Sequence, residues 1–269
     1  MLFIISTPIG HLADISQRAL DTLRACDWIL CEDTRHSQIL LRHYGIDKTL
    51  YSFHQFNEKK QQERILQDLE QGRQIALISD AGSPLISDPG LSLVQECIQR
   101  NLAITAIPGP CSLIMALQLS GFNTARFQFI GFLPRETGPL NEALRRALFY
   151  SGTTIAFESP QRLIDTLKII ESLDPTRKIA VARELTKTFE ECRRGTAAEL
   201  SAHFEAHEPR GEIILLIEEG KPPDVEMAVE ELVSLLQELH GLSLKEAIKA
   251  AAHMKNVPKR DVYRQIHHT

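Results

Sequence analysis

No stretch of this chain reaches the roughly 20 apolar residues needed to cross a bilayer, and Met1 runs directly into the apolar segment 2–6 without a basic leader. A cytoplasmic protein with no membrane attachment is expected. Cysteine is sparse: Cys26, Cys31, Cys97, Cys111 and Cys192 are odd in number and form no CxxC pair. Neither a disulfide framework nor a zinc site is predicted, and no metal is expected. The first strand-to-helix loop has a single glycine, Gly10, where a dinucleotide fingerprint needs three, and GxxxxGK[ST] is absent, which removes the sequence support for nicotinamide, flavin and P-loop readings. An excess of positive charge is missing too. Lys and Arg total 30 against 35 Asp and Glu, for a net charge of -5, so free nucleic acid would not be gripped by bulk charge.

What is present is an ordinary globular composition, 43% hydrophobic and 24% charged over 269 residues, with length enough for two cores. Residues 77–90 read LISDAGSPLISDPG, the densest collection of turn formers in the chain. They follow the strand-like run 74–79, and Asp88 is placed as N-cap of the next helix, with Pro89 and Gly90 at its start. Loops at strand carboxyl ends collect ligands in α/β sheets. A long structural turn would use the same residue types.

Strand, loop and helix alternate along residues 1–120. Residues 2–6, 27–31, 49–53, 74–79 and 102–107 read as strands, and 16–25, 38–44, 58–71, 91–100 and 113–119 as helices. The polar run 32–37 before the second helix is either a site or a helix start capped by Ser37. Asn57 is the predicted cap of the third. Gly121 begins a hinge, after which strands at 127–132, 153–157, 178–183 and 212–218 alternate with helices at 140–150, 160–173 (capped by Ser159) and 196–207 (capped by Thr196). Residues 220–224 (GKPPD) read as a linker. Helices at 225–239, 244–254 and 258–267 follow, the second opened by a Ser243/Glu246 capping box, with spacing that allows a helix-turn-helix shape. The expected organisation is an α/β domain over 1–120, a second over 121–219 and a helical appendage over 225–269.

Thr7-Pro8-Ile9-Gly10 with Asp14-Ile15, Glu32-Asp33-Thr34-Arg35, Ser79-Asp80-Ala81-Gly82-Ser83-Pro84 with Ser87-Asp88-Pro89-Gly90, and Ile107-Pro108-Gly109-Pro110 occur in that order. Phe157-Glu158-Ser159-Pro160 with Arg162, Arg183-Glu184-Leu185-Thr186-Lys187 with Phe189-Glu190-Glu191, and Gly211-Glu212 follow. The set resembles the ribosomal RNA small subunit methyltransferase I family, a branch of the tetrapyrrole methylase superfamily, across nearly the whole chain. The resemblance implies a two-domain class III methyltransferase fold and S-adenosylmethionine as donor. It also implies a homodimer and 2'-O-methylation of a cytidine in the decoding region of 16S rRNA, within the small ribosomal subunit. It places Pro8, Asp80, Ala81, Gly82, Ser83, Pro84, Cys111, Ser112, Leu185, Gly211 and Glu212 around the donor, Cys111 standing where the family usually has serine. Arg35, Asn57, Arg162 and Arg183 fall on the RNA side.

Methyl transfer to a ribose hydroxyl needs no metal or covalent nucleophile. It needs in-line positioning, worth up to roughly 7 to 11 kcal/mol, and a proton acceptor for the hydroxyl, worth about 10² to 10⁴-fold. Glu32, Asp33, His54, Glu58, Glu184 and Lys187 are the candidates, although Glu184 and Lys187 could equally pair with each other and His54 could be a structural loop residue. Local cations must meet the RNA, and Arg35, Arg42, Arg135, Arg145, Arg146, Arg162, Arg193, Arg194, Lys259, Arg260 and Arg264 are available. A tetrapyrrole carbon methyltransferase and a ribosome-binding module without chemistry are the alternatives.

Overall fold

The computed structural model describes residues 1–220, 228–240, 242–255 and 257–267. They divide into two compact units, Met1–Gly220 and Lys221–Thr269. In the first, Leu2–Ile5 (β1), Trp28–Cys31 (β2), Leu50–Ser52 (β3), Ile75–Ile78 (β4) and Ile104–Ile107 (β5) form a sheet in the order β3-β2-β4-β1-β5. Every pairing in it is parallel. β4 is buried at every position, as a strand covered on both faces must be. Gln17–Ala25 (α1) and Thr34–His43 (α2) cover one face through Leu20, Leu23 and Leu41. Glu58–Glu70 (α3) and Leu91–Gln99 (α4) cover the other through Ile65, Leu66 and Leu93.

After β5 comes Ser112–Ser120 (α5), which reads SLIMALQLS. A helix apolar nearly all round has to be buried on more than one side. Its Leu113, Ala116 and Leu117, with Ile9, join Ile155, Ala180, Ala182, Ile214 and Leu216 in one core. Those partners belong to the second sheet, built from Phe127–Phe132 (β6), Thr153–Glu158 (β7), Lys178–Arg183 (β8), Glu191–Thr196 (β9) and Ile213–Ile217 (β10) in the order β6-β7-β10-β8-β9. β6 runs parallel to β7, and the other pairs are antiparallel. Along β8 the side chains alternate: Ala180 and Ala182 face α5, while Ile179 and Val181 enter a core made with Thr137–Phe149 (α6), Pro160–Leu173 (α7) and Ala197–Ala206 (α8).

Several local expectations are corrected. α2 begins at Thr34 rather than at residue 38, because Asp33 is its cap and accepts from the Arg35 N–H at 2.8 Å, while Ser37 is buried inside the helix. Asp88 does not cap α4. That position belongs to Gly90, at φ +118°, where a Cβ would lie 2.8 Å from the side chains of both Leu77 and Leu85. Asn57 stands at the cap position of α3, but its side chain turns back, accepting from the His54 N–H at 2.9 Å and donating to the Ser52 carbonyl at 3.0 Å. β9 adds a strand to those expected, although ECRRGT has no strand pattern. It is an edge strand paired with β8 alone, and charge on such a strand discourages further pairing.

Taken by itself, the second unit packs Val229–His240 (α9), Leu244–Met254 (α10) and Lys259–His267 (α11) around Leu232, Leu236, Ile248, Ala251 and Val262. The Glu246 carboxylate accepts from the Ser243 N–H at 3.0 Å and from its hydroxyl at 2.6 Å. Residues 221–224 of the expected linker, and 225–227 at the start of the expected first helix, lie outside the described residues. Among the described residues no helix is long and apolar enough to cross a membrane.

Thr196 and Glu199 cap α8 reciprocally: the hydroxyl accepts from the Glu199 N–H at 3.3 Å and the carboxylate accepts from the Thr196 N–H at 2.7 Å. Thr196→Ala is expected to lower unfolding free energy by about 1 kcal/mol, read from urea midpoints. Ser159→Ala, at a cap whose side chain makes no capping bond, should change it by less than about 0.5 kcal/mol.

Candidate active site

Three loops meet at the carboxyl ends of β1, β4 and β5. Thr7 and Gly82 exchange main-chain hydrogen bonds of 2.8 and 3.1 Å, and the Thr7 hydroxyl donates to the Ser79 carbonyl at 3.0 Å. The Ser83 hydroxyl lies 3.0 Å from that of Ser6 and donates to the Pro110 carbonyl at 3.2 Å. Gly109 passes so close to Ser6 that a Cβ on it would be 2.9 Å from the serine Cβ. Gly82 and Ser83 thus hold a floor together, with Pro84 buried and Ala81 exposed beside them.

The facing wall is the turn between β8 and β9. Lys187 Nζ donates to Glu184 Oε1 at 3.0 Å and lies 3.8 Å from the Glu212 carboxylate. The Thr186 hydroxyl accepts from the His11 N–H at 3.1 Å. Two bare backbones press on this turn. A Cβ on Gly10 would be 2.5 Å from Lys187 Cγ, and one on Gly211 would be 1.9 Å from Glu184 Oε1. Non-glycine residues with positive φ occur on both walls: Leu85 (+73°) and Ser87 (+68°) on one, Glu184 (+49°) and Thr186 (+65°) on the other. Such conformations cost on the order of 1 to 3 kcal/mol each and gather at functional sites.

Between the walls lies a cavity of about 210 Å³ lined by Asp88, Ser112, Phe157, Leu185 and Ile214 among others. A second, of about 260 Å³, is lined by Pro8, His36, Asp80 and Lys187. Both share Ile9, Ala81 and Glu212, so they are adjoining parts of one cleft. Asp88 is its most informative group, missed in the sequence because Asp-Pro-Gly also reads as a helix start. Its carboxylate is half-buried, and no hydrogen bond or ion pair reaches it among the described residues. Burial first, then the charges of Glu32 and Asp80, push its pKa up to about 6. Glu158 also lines the cavity, but it is satisfied: Thr166 Oγ1 and the Ser159 N–H each donate to it at 2.7 Å, and Arg162 pairs with it.

The structure therefore gathers Pro8, Asp80, Ala81, Ser112, Leu185, Lys187 and Glu212 on the cleft lining, with Gly211 behind it. Asp80 Oδ1 accepts from the Asp33 N–H at 3.1 Å and fixes the loop after β2 beside this edge. Asp33 is bound to Arg35, whose hydrogen bonds hold its pKa down at about 2, and a carboxyl that acidic is a poor proton acceptor. Glu32 is exposed, and its carbonyl accepts from Ser52 Oγ at 3.1 Å. His54 Nδ1 is buried without a partner, and its ring meets Phe56 edge-on. Glu58 accepts from the Ser92 hydroxyl at 2.8 Å. None of Glu32, Asp33, Arg35, His54, Asn57 and Glu58 lines either cavity. Cys111 occupies the cap position of α5 without a capping bond. Arg183 pairs with Glu191 at 2.6 Å, and Arg162 also donates to the Leu133 and Pro134 carbonyls at 2.9 Å.

That engagement of Arg162 has a measurable consequence. Arg162→Ala strands the fully buried Glu158 carboxylate and should cost roughly 3 kcal/mol of unfolding free energy, seen as a large drop in the urea midpoint. A variant of unaltered stability would mean that the guanidinium does not hold Glu158.

The family model described as Tetrapyrrole (Corrin/Porphyrin) Methylases matches residues 1–201. The chain is 41% identical, over 98% of its own length and 93% of the relative's, to a protein of Escherichia coli O157:H7 named ribosomal RNA small subunit methyltransferase I. A protein of Thermotoga maritima with the same name is 45% identical over 217 residues, which make up 80% of this chain and 97% of that one. The crystal structure of diphthine synthase superposes with a TM-score of 0.62 at 14% identity, covering 81% of this chain and 89% of that one, a likeness of fold.

Proposed function

The chain belongs to the tetrapyrrole methylase family, in the group of ribosomal RNA small subunit methyltransferase I, and from that membership we propose that it methylates the ribose 2'-oxygen of a cytidine in the decoding region of 16S rRNA. S-adenosylmethionine is the donor, and the residues of the cleft fit it. Asp88 is an unpaired carboxylate on a lining that is mostly apolar, with Ser112, Glu158 and Glu212 as further polar groups, which is what a ligand with an apolar body and positive charge requires. That uncompensated carboxylate is the observation that carries the reading.

When bound, the donor supplies a methyl group on a positively charged sulfur. The chain's own work is to bind, orient and exclude water. Leu185, Ile213 and Ile214 present apolar surface, Ser112 offers a hydroxyl at the first turn of α5, and Asp88 offers charge. Lys187, on the adjoining cavity, keeps N–H donors to spare after meeting Glu184, and so can orient a ribose oxygen. Glu184, bonded to Lys187 at 3.0 Å, and Glu212, 3.8 Å from Lys187 and on the lining of both cavities, are the carboxylates beside it that can accept the proton. The reading includes a homodimer in the cytoplasm: Leu91, Ile98 and Ile114 are exposed on α4 and α5 and supply apolar surface that a second copy would cover.

Purified protein with labelled donor should methylate small subunits from cells lacking the gene, and nucleoside analysis should find the label on a cytidine ribose. Label absent from rRNA would overturn the substrate assignment. Asp88→Asn should weaken donor binding by about 10 to 100-fold, the scale of a lost charge-assisted contact, measured by titration calorimetry. A cationic ligand favours ionised Asp88, so wild-type affinity should be full above about pH 6 and decline as pH falls through that value. Affinity in the Asn variant should lack this step.

A further inference from the structure

Five of the eleven cations that could meet RNA are already committed. Arg35 pairs with Asp33, Arg146 with Glu142, Arg162 with Glu158 and Arg193 with Glu191, while Arg194 donates to the carbonyls of Leu119 and Ser120 at the end of α5. Three that stay together on one short element are Lys259, Arg260 and Arg264 of α11. All are exposed. Lys259 and Arg264 have no ion pair among the described residues, and Arg260 reaches only its neighbour Asp261, at 3.7 Å, while 81% exposed.

Charge within the second unit is segregated by helix. α9 carries Glu230, Glu231 and Glu238 and no Lys or Arg, whereas α10 and α11 carry Lys245, Lys249, Lys259, Arg260 and Arg264 against Glu246 and Asp261. α11 is anchored by Val262, fully buried in the core that α9 and α10 share, while residues 259, 260 and 264 are exposed. Four residues, 255–258, join α10 to α11, the length found in helix-turn-helix pairs that present their second helix to nucleic acid. A relative named ribosomal RNA small subunit methyltransferase I has no counterpart of this unit. The Thermotoga maritima relative is used up to 97% by a 217-residue alignment, leaving no room for a further unit the size of Lys221–Thr269.

We propose that the second unit is an auxiliary RNA-binding arm, and that α11 holds the phosphate backbone of the rRNA substrate through Lys259, Arg260 and Arg264. It adds affinity without touching the reaction. The assignment rests on rRNA being the substrate. Electrostatic attachment to phosphates releases counterions, so each lost contact lowers the dependence of log K on log salt by about 0.7 to 0.9.

The test is the full chain carrying Lys259→Gln, Arg260→Gln and Arg264→Gln, all at exposed positions, with folding checked by its unfolding midpoint. For methyl transfer to small subunits, kcat should stay within about twofold, KM near physiological salt should rise about tenfold or more, and the salt slope should fall by about 2 to 3. Affinity for labelled naked small-subunit rRNA, read by fluorescence anisotropy, should fall in parallel. Unchanged KM and slope would overturn the proposal. A raised KM for subunits with unaltered affinity for naked rRNA would also overturn it, pointing to a ribosomal protein as the contact. If the wild-type chain transferred no methyl to subunits, the substrate assignment would fail, and the anisotropy comparison would still decide whether α11 binds RNA.

Discussion

Burial of α5 against the second sheet is the contact on which the rest of the first unit depends. The helix follows the last strand of the first sheet, yet its Leu113, Ala116 and Leu117 complete a core with β7, β8 and β10. A surface helix with one polar face could not do this, because the other side would stay wet. Its first residue, Ser112, lines the cleft, and Ile9, from the loop after β1, enters the same core. The two sheets are held at the spacing that leaves the cleft open, and the carbonyls at the far end of the helix are closed by Arg194 of β9.

Much of this architecture was legible. Apolar runs of four to six residues gave the buried strands, and the apolar spacing of Gln17–Ala25 and Pro160–Leu173 gave their helices, because local pattern and tertiary burial agree there. Failures came where a distant contact chose between two locally adequate answers. Asp33 and Ser37 both have cap chemistry. Asp33 is the one whose N–H is fixed by Asp80, 47 residues away. Asp88 looked like a cap until Gly90 took that place at a φ suited to glycine, which released the carboxylate into the cleft. β9 has no strand signature because an edge strand answers to one neighbour and to solvent.

The same logic separates the site residues. Ala81, Ser112, Leu185 and Glu212 were placed by motif order, and they line the cleft. Nothing in the sequence distinguished an arginine that holds a buried carboxylate from one that waits for a phosphate. Arg162 and Arg264 look equivalent as letters. Only the three-dimensional positions of Glu158, Leu133 and Pro134 reveal that the first is occupied.

Gly10 and Gly211 bring bare main chain against the side chains of Glu184, Thr186 and Lys187, and on the opposite side Thr7 and Gly82 join two loops through their peptide groups. The width of the cleft is therefore set where main chain comes close, at Thr7 and Gly82 on one wall and at Gly10 and Gly211 on the other. Where peptide groups set the distance, as between Thr7 and Gly82, the dimension of the cleft does not depend on which side chains surround it, whereas at Gly10 and Gly211 it depends on the absence of one. Over evolutionary time such a scaffold can keep one donor while the acceptor side is rebuilt, and inheritance of the pocket and invention of the substrate become separate problems.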